Sequence, residues 1–110
     1  MLMAYHDIMK AALVARERIA YSDTEVVEMV VWRVPTPVPP TTHGFKYRFV
    51  YVENGERVLG YDNERGKGDH RHYRDQESPL EFDTIDSLLL QFVDEVEYFR
   101  AKRSLPWIST

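Results

Sequence analysis

The feature that most constrains the fold is a strict two-residue alternation over residues 43–52, HGFKYRFVYV. Successive side chains of a strand point to opposite faces of its sheet. One face would therefore carry Phe45, Tyr47, Phe49 and Tyr51, and the other Lys46, Arg48, Val50 and Val52. Asn54-Gly55 follows, which is the strongest short signal for a hairpin turn, and ERVLGYDNE then returns as the partner strand. An antiparallel sheet is therefore expected at the centre of the fold.

A second hairpin is predicted nearer the N-terminus. Residues 24–34, TEVVEMVVWRV, are rich in β-branched side chains and predict a strand largely buried on both faces, with Trp32 in the core. The preceding stretch ALVARERIAY ends in an alternating pattern, and Ser-Asp-Thr at 22–24 would close the turn. Residues 4–13 are open to two interpretations, because their apolar residues have helical spacing but the first strand can also begin there.

The C-terminal part predicts one long amphipathic helix. Its apolar residues recur at helical spacing and would form one broad face: Ile85, Leu88, Leu89, Phe92, Val93, Val96 and Phe99. Asp83 or Thr84 can cap the start of this helix. Leu90 lies off the apolar face and would be exposed, where it could contact another chain.

Together these elements predict an α+β fold, with an antiparallel sheet of four or five strands and the helix packed across one face. A chain of 110 residues is the size of one domain, and an apolar content of 44% is enough for a packed core. Proline-rich residues 35–40 predict an extended loop between the hairpins. Residues 1–8 and 104–110 would be an N-terminal extension and a tail of this single domain.

Charge and composition limit the classes of function. Residues 81–97 hold six of the 18 acidic residues and none of the 14 basic ones, which leaves a net charge of +2 on the rest of the chain. A local phosphate site is therefore compatible with the overall charge of −4. No apolar run is long enough to span a membrane. The chain has no cysteine, which excludes thiolate nucleophiles and fits a cytoplasmic location. No nucleotide-binding loop or zinc-finger spacing occurs, so no cofactor is expected.

Residues 60–73, GYDNERGKGDHRHY, form the richest chemical motif of the chain. The motif would leave a strand, turn through Gly66-Lys67-Gly68 and continue as an extended segment. His70 and His72 would then share one face, with β-carbons about 7 Å apart, and Arg71 and Tyr73 would point the other way.

Three interpretations of this motif remain open from the residues. In the first, His70 and His72 act as general base and general acid on a phosphodiester, without a metal. Arg48, Lys67 and Arg71 would then hold the phosphate. In the second, the two histidines join Asp62 or Glu64 as metal ligands, although His-x-His alone is a weak signal. In the third, the charged residues pair with one another in a solvated turn. The remaining candidates are Tyr61, Asp62, Asn63, Glu64 and Arg65, while His43 is expected to be a turn residue.

Four segments resemble the TumE family of small bacterial proteins: EMVVWRVPTPVP, HGFKYRFVYV, GYDNERGKGDHRH and LLLQFVDEVE. The resemblance covers about residues 9–100. It implies the toxin of a two-gene toxin–antitoxin module whose partner is a helix-turn-helix antitoxin, but it implies no settled chemistry. We therefore expect a cytoplasmic toxin that binds or cleaves RNA at the 60–73 motif. The alternative is a non-catalytic module that binds protein or nucleic acid.

Overall fold

The structure, a computed structural model, describes residues 11–103. They form six strands and one helix: β1 Ala12–Ala20, β2 Glu25–Arg33, β3 Phe45–Glu53, β4 Glu56–Glu64, β5 Gly68–Tyr73, β6 Gln76–Pro79 and α1 Ile85–Arg103. The strands make one sheet in chain order, and every neighbouring pair is antiparallel. The α+β class is confirmed, but the predicted number of strands was wrong, because there are six rather than four or five.

The additional strand is β6, which has no signal in the sequence. It is only four residues long, is exposed along its length and carries Pro79, which an edge strand tolerates. The turn before it places Arg74 at φ 54°, without the Gly or Asn that commonly marks such a position. A short polar edge strand therefore escapes prediction from apolar periodicity.

The N-terminal hairpin also differs from its prediction in two ways. Ala12 begins β1, so the last residues of the helix proposed for 4–13 are strand; its earlier residues, like 1–8 and 104–110, lie outside the described part of the chain. β2 is not buried on both faces. Its residues Val27, Met29 and Val31 are buried, but Glu28 is exposed and Trp32 is partly exposed, because the helix covers only one face.

The core lies between the sheet and α1. The predicted apolar face of the helix is confirmed: Leu88, Phe92 and Val96 are fully buried, and the other four predicted residues pack against them. Phe92 meets Tyr61 edge to face, with ring centroids 4.9 Å apart. Thr84 caps the helix, since its Oγ1 accepts a hydrogen bond from the Ser87 amide at 3.0 Å.

The opposite surface of the sheet, here called the open face, is not covered by the helix. The pairing register aligns one row of side chains across it, and this row consists of Arg16, Val30, Arg48, Asp62 and His70. The proline loop covers only one corner. There the Gly66 amide donates to the Pro39 carbonyl at 2.8 Å, and a β-carbon on Gly68 would lie 3.3 Å from Pro40.

Candidate functional site

The glycine-rich part of the motif is a tight hairpin turn between β4 and β5. The Lys67 amide donates to the Glu64 carbonyl at 3.0 Å, which closes the turn. Gly66 and Gly68 have φ of 89° and 81°, a region that glycine occupies without strain. The predicted turn and the extended segment after it are confirmed. The glycines serve the turn, and the chemistry must lie in the side chains around it.

His70 lies on the open face, and one of its two ring nitrogens makes a hydrogen bond. Its Nδ1 lies 3.2 Å from the Gly68 carbonyl oxygen. A carbonyl only accepts hydrogen bonds, so Nδ1 carries the proton and a neutral ring has its lone pair on Nε2. Within residues 11–103, Nε2 has no hydrogen-bond partner. His70 is therefore arranged to accept a proton.

His72 shares the open face but has carboxylates at both ring nitrogens. Its Nε2 lies 3.3 Å from Asp62 Oδ1, and its Nδ1 lies 3.8 Å from Glu77 Oε1. Because a carboxylate accepts, the nitrogen facing Asp62 carries a proton. The side chain is 12% exposed. His72 Nε2 is thus a donor to Asp62, whereas His70 Nε2 is an acceptor without a partner among the described residues.

Basic side chains share the open face with the two histidines. Arg48 stands opposite Asp62 in the register but is exposed. Among the residues the structure describes, the side chains of Arg48, Arg16 and Arg57 make no hydrogen bond or ion pair. Lys67 contacts Glu77 at 3.3 Å, and such an exposed pair is weak. These cations remain able to contact an anion that approaches this face.

Arg71 and Tyr61 lie on the covered face, on the other side of the sheet from the histidines. Arg71 Nε donates to both carboxylate oxygens of Glu95, at 3.0 and 3.1 Å, and the Tyr61 hydroxyl donates to the same carboxylate. Hydrogen bonding to Glu95 raises the pKa of Arg71, and burial raises the pKa of Tyr61. Both candidates therefore fix α1 to the sheet, and Arg71 does not join the two histidines.

Where the backbone hydrogen bonds between β3 and β4 end, the side chain of Asn63 makes hydrogen bonds to the backbone of β3. Their ladder ends at Arg48 and Asp62. Beyond it the Asn63 side chain accepts from the Tyr47 amide at 3.1 Å and donates to the Phe45 carbonyl at 2.7 Å. The Lys46 ammonium donates to the Asn63 carbonyl. Burial lowers the pKa of Lys46 to about 8, although Asp62, Glu64 and Asp69 act in the opposite direction.

The remaining candidates, Glu64 and Arg65, lie at the turn itself. Glu64 is 3.9 Å from the Lys67 ammonium, and Arg65 is exposed. Among the described residues no group of three histidines or acids is placed to hold a metal ion.

One polar cluster was missed from the sequence, and it lies on the covered face. Asp69 Oδ1 accepts from the Tyr47 hydroxyl at 2.6 Å and from His43 Nε2 at 2.9 Å. The Phe45 amide donates to His43 Nδ1 at 3.2 Å, and the His43 ring stacks on Phe82. Both nitrogens of His43 are therefore engaged, so this residue links a loop to β5. No local pattern connects positions 43 and 69, so the sequence carried no signal for it.

Fold and site together define a small α+β protein whose sheet has one face covered by a helix and the other lined by a histidine–carboxylate pair among exposed arginines. A sequence model of the protein family described as Toxin TumE matches residues 4–100. The chain therefore belongs to the TumE toxin family, as the resemblance implied. Comparison with curated proteins and with solved structures found no match. No helix within residues 11–103 is long and apolar enough to cross a membrane.

Proposed function

We propose that this toxin binds RNA on its open face and cleaves it with His70 and His72. The observation that carries the proposal is the complementary state of the two rings. His70 has a free acceptor at Nε2, and His72 holds a proton opposite Asp62. One face thus offers a base and an acid whose β-carbons are about 7 Å apart, a separation set by their spacing along β5.

The reaction would be transesterification by the RNA itself. His70 Nε2 takes the proton of a ribose 2′-hydroxyl, and the oxygen attacks the adjacent phosphorus. The bond to the 5′-oxygen breaks, and His72 gives this oxygen a proton. The products are a 2′,3′-cyclic phosphate and a 5′-hydroxyl end. Arg48 and Lys67 would contact the phosphate oxygens, while Arg71, which is bonded to Glu95, takes no part.

A non-catalytic binding module is the alternative, and one observation favours it. His72 is 12% exposed and lies between Asp62 and Glu77, so its contacts alone could account for its position. In that case the open face would block a target by binding it. The two functions differ in turnover, because only an enzyme converts more RNA than there is protein.

We further propose that a helix-turn-helix antitoxin neutralises the toxin in the cytoplasm, where RNA is present. Two surfaces could receive it. One is the open face with its exposed arginines, to which an acidic segment would bind. The other is the outer side of α1, where Leu90 and Tyr98 are 67% and 59% exposed beside acidic residues.

The deciding experiment incubates purified protein with a mixed-sequence RNA in excess and follows cleavage with time. Multiple turnovers with cyclic phosphate ends are expected. The chain carrying both His70→Ala and His72→Ala should remain folded by circular dichroism and should not cleave. RNA that binds but stays intact with the unmodified protein would favour the binding module.

A further inference from the structure

Trp32 lies on the open face of the sheet, where its surroundings differ from those of a core tryptophan. In the register it stands between Leu13 of β1 and Lys46 of β3. The side chain is partly exposed. Within the described chain its ring stacks on no other ring, and its indole N–H donates to no acceptor. Since no buried polar side-chain atom there lacks a partner, this N–H reaches solvent.

All other large aromatic side chains of the described residues lie elsewhere. The tyrosines and phenylalanines belong to the core or pack against it, apart from Tyr98 on the outer side of the helix. Trp32 is therefore the one such residue on the open face between positions 11 and 103. A tryptophan needed only for stability would be expected on the covered face, where α1 could bury it.

Two exposed arginines lie near Trp32 on the open face. Arg48 is its diagonal neighbour on β3, and diagonal β-carbons in an antiparallel sheet lie about 7–8 Å apart. Arg16 lies beyond Val30 in the same row as Arg48. An indole beside unpaired guanidinium groups is the combination with which proteins bind single strands: bases stack on the ring, and phosphates contact the cations.

We propose that Trp32 is a base-stacking position, and that the open face therefore takes single-stranded rather than duplex RNA. This inference rests on the proposed function and adds to it that the RNA substrate is single-stranded. A base would stack on the indole, and the phosphates on its two sides would contact Arg48 and Arg16. The strand would continue along the row to His70. Duplex RNA cannot use this site, because its bases are already stacked in the helix.

The first test uses the fluorescence of Trp32. The chain has two tryptophans, so Trp107→Phe leaves Trp32 as the sole tryptophan, and His70→Ala slows cleavage of the RNA during the titration. This full-length chain is titrated with single-stranded oligoadenylate and then with a duplex of the same length. Quenching by the single strand at much lower concentrations than by the duplex is expected. Equal quenching by both, or tighter binding of the duplex, would overturn the proposal.

The second test separates stacking from charge. Trp32→Leu should weaken single-strand binding about 5-fold or more, because one stacked base contributes at least about 1 kcal/mol. Trp32→Phe should recover most of the loss. The salt dependence should stay unchanged in both, whereas Arg48→Gln should reduce its slope by about 0.7. Unfolding curves of the variants show that each is folded.

Two outcomes would contradict the proposal and are distinguishable from each other. If RNA binds with a normal salt dependence and Trp32→Leu has unmodified affinity, Trp32 takes no part, and the proposed function survives. If the unmodified chain binds neither single strand nor duplex, the proposed function fails with it.

Discussion

Asp62 bonds to His72, its diagonal neighbour on β5, although His70 stands directly opposite it in the register. Gly60 stands directly opposite His72 and has no side chain to contact the imidazole. The side chain of Arg57 lies over Gly60, where an added β-carbon would be 3.2 Å from Arg57 Cδ. The carboxylate is thereby used by one histidine, and the ring of the other stays unpaired at Nε2. Two identical side chains on one face thus acquire different roles.

Replacing Asp62 with Asn tests this relationship. The amide can still accept from His72 but carries no charge, so the ring is held less firmly in its proton-donating state. We expect cleavage to fall by about 10-fold or more, since general acid–base catalysis contributes about 10²–10⁴-fold. RNA affinity should not change. The pH–rate profile of the variant should shift, which a purely structural role would not produce.

The helix offers a matched pair of leucines for a test of the core. Leu88 is 1% exposed and Leu90 is 67% exposed, two positions apart on α1. Leu88→Ala should lower the free energy of unfolding by about 2–5 kcal/mol, because it leaves a cavity. Leu90→Ala should change it by no more than about 0.5 kcal/mol. Urea unfolding curves measure both, and similar losses in the two variants would contradict this packing of α1.

The sequence predicted the central hairpin and the helix because each has a strong local signal. Asn54-Gly55 and the alternation before it define one, and apolar spacing defines the other. Trp32 was wrongly predicted to lie in the core. Valines occur on both faces of β2, so the sequence shows no clear alternation between an apolar and a polar face. Glu28 marks the exposed face of that strand, and Trp32 lies on the same face, four residues on. Residues an even number of positions apart in a strand share a face, so the charge of Glu28 indicates that Trp32 also lies on the open face.

For the candidate site, the sequence predicted only which face of the strand each side chain lies on. Two-residue spacing placed His70 and His72 together and Arg71 opposite, as observed. The partners of these residues depend on strand register and on where the helix lies, and neither is encoded locally. The bond between Arg71 and Glu95 joins residues 24 positions apart, so it could not be predicted.

Lys46 predicts a pH dependence of stability. Burial lowers its pKa to about 8, so between about pH 8 and the usual 10.4 the unfolded chain holds a proton that the folded chain has released. The free energy of unfolding therefore rises with pH in this window, by up to about 1.4 kcal/mol per pH unit. Below about pH 8 both states are protonated, and the slope disappears.

The comparison with Lys46→Met isolates this effect. Burial raises the pKa of Tyr47 and Tyr61, so the folded chain keeps their protons longer and stability falls above about pH 10. The wild-type chain and the Lys46→Met variant share this loss of stability above about pH 10. Urea unfolding between about pH 8 and 10 should therefore show a stability difference, wild type minus variant, that grows with pH. A constant difference would mean that Lys46 stays charged in the folded protein.

The antitoxin surface is tested by changing charge on each side of the molecule. Leu90→Asp alters the helix, and Arg48→Glu with Lys67→Glu alters the open face. The set that weakens co-purification with the antitoxin identifies its surface. Loss of an apolar contact should raise the dissociation rate, and reversal of charge should slow association. Leu90→Ala controls for stability, and unchanged affinity in both sets would mean that the antitoxin binds elsewhere.

The histidine mechanism predicts several results, and all of them must be observed. His70→Ala and His72→Ala should each slow cleavage by about 100-fold or more, and the double variant should lose less than the product, because both residues act in one step. The pH–rate profile should be bell-shaped, since one ring must be neutral and the other protonated. Substrate with 2′-hydrogen in place of the 2′-hydroxyl should not be cut, because the attacking group is gone.

A chelator separates this mechanism from the metal interpretation of the same residues. Cleavage should continue at full rate in its presence. Loss of activity that zinc or manganese restores would assign His70 and His72 to a metal site instead. Toxicity that persists in cells expressing the double histidine variant, with no cleavage by the unmodified protein, would remove catalysis altogether. The open face would then act by binding, with Arg48 and Trp32 rather than the histidines as its working residues.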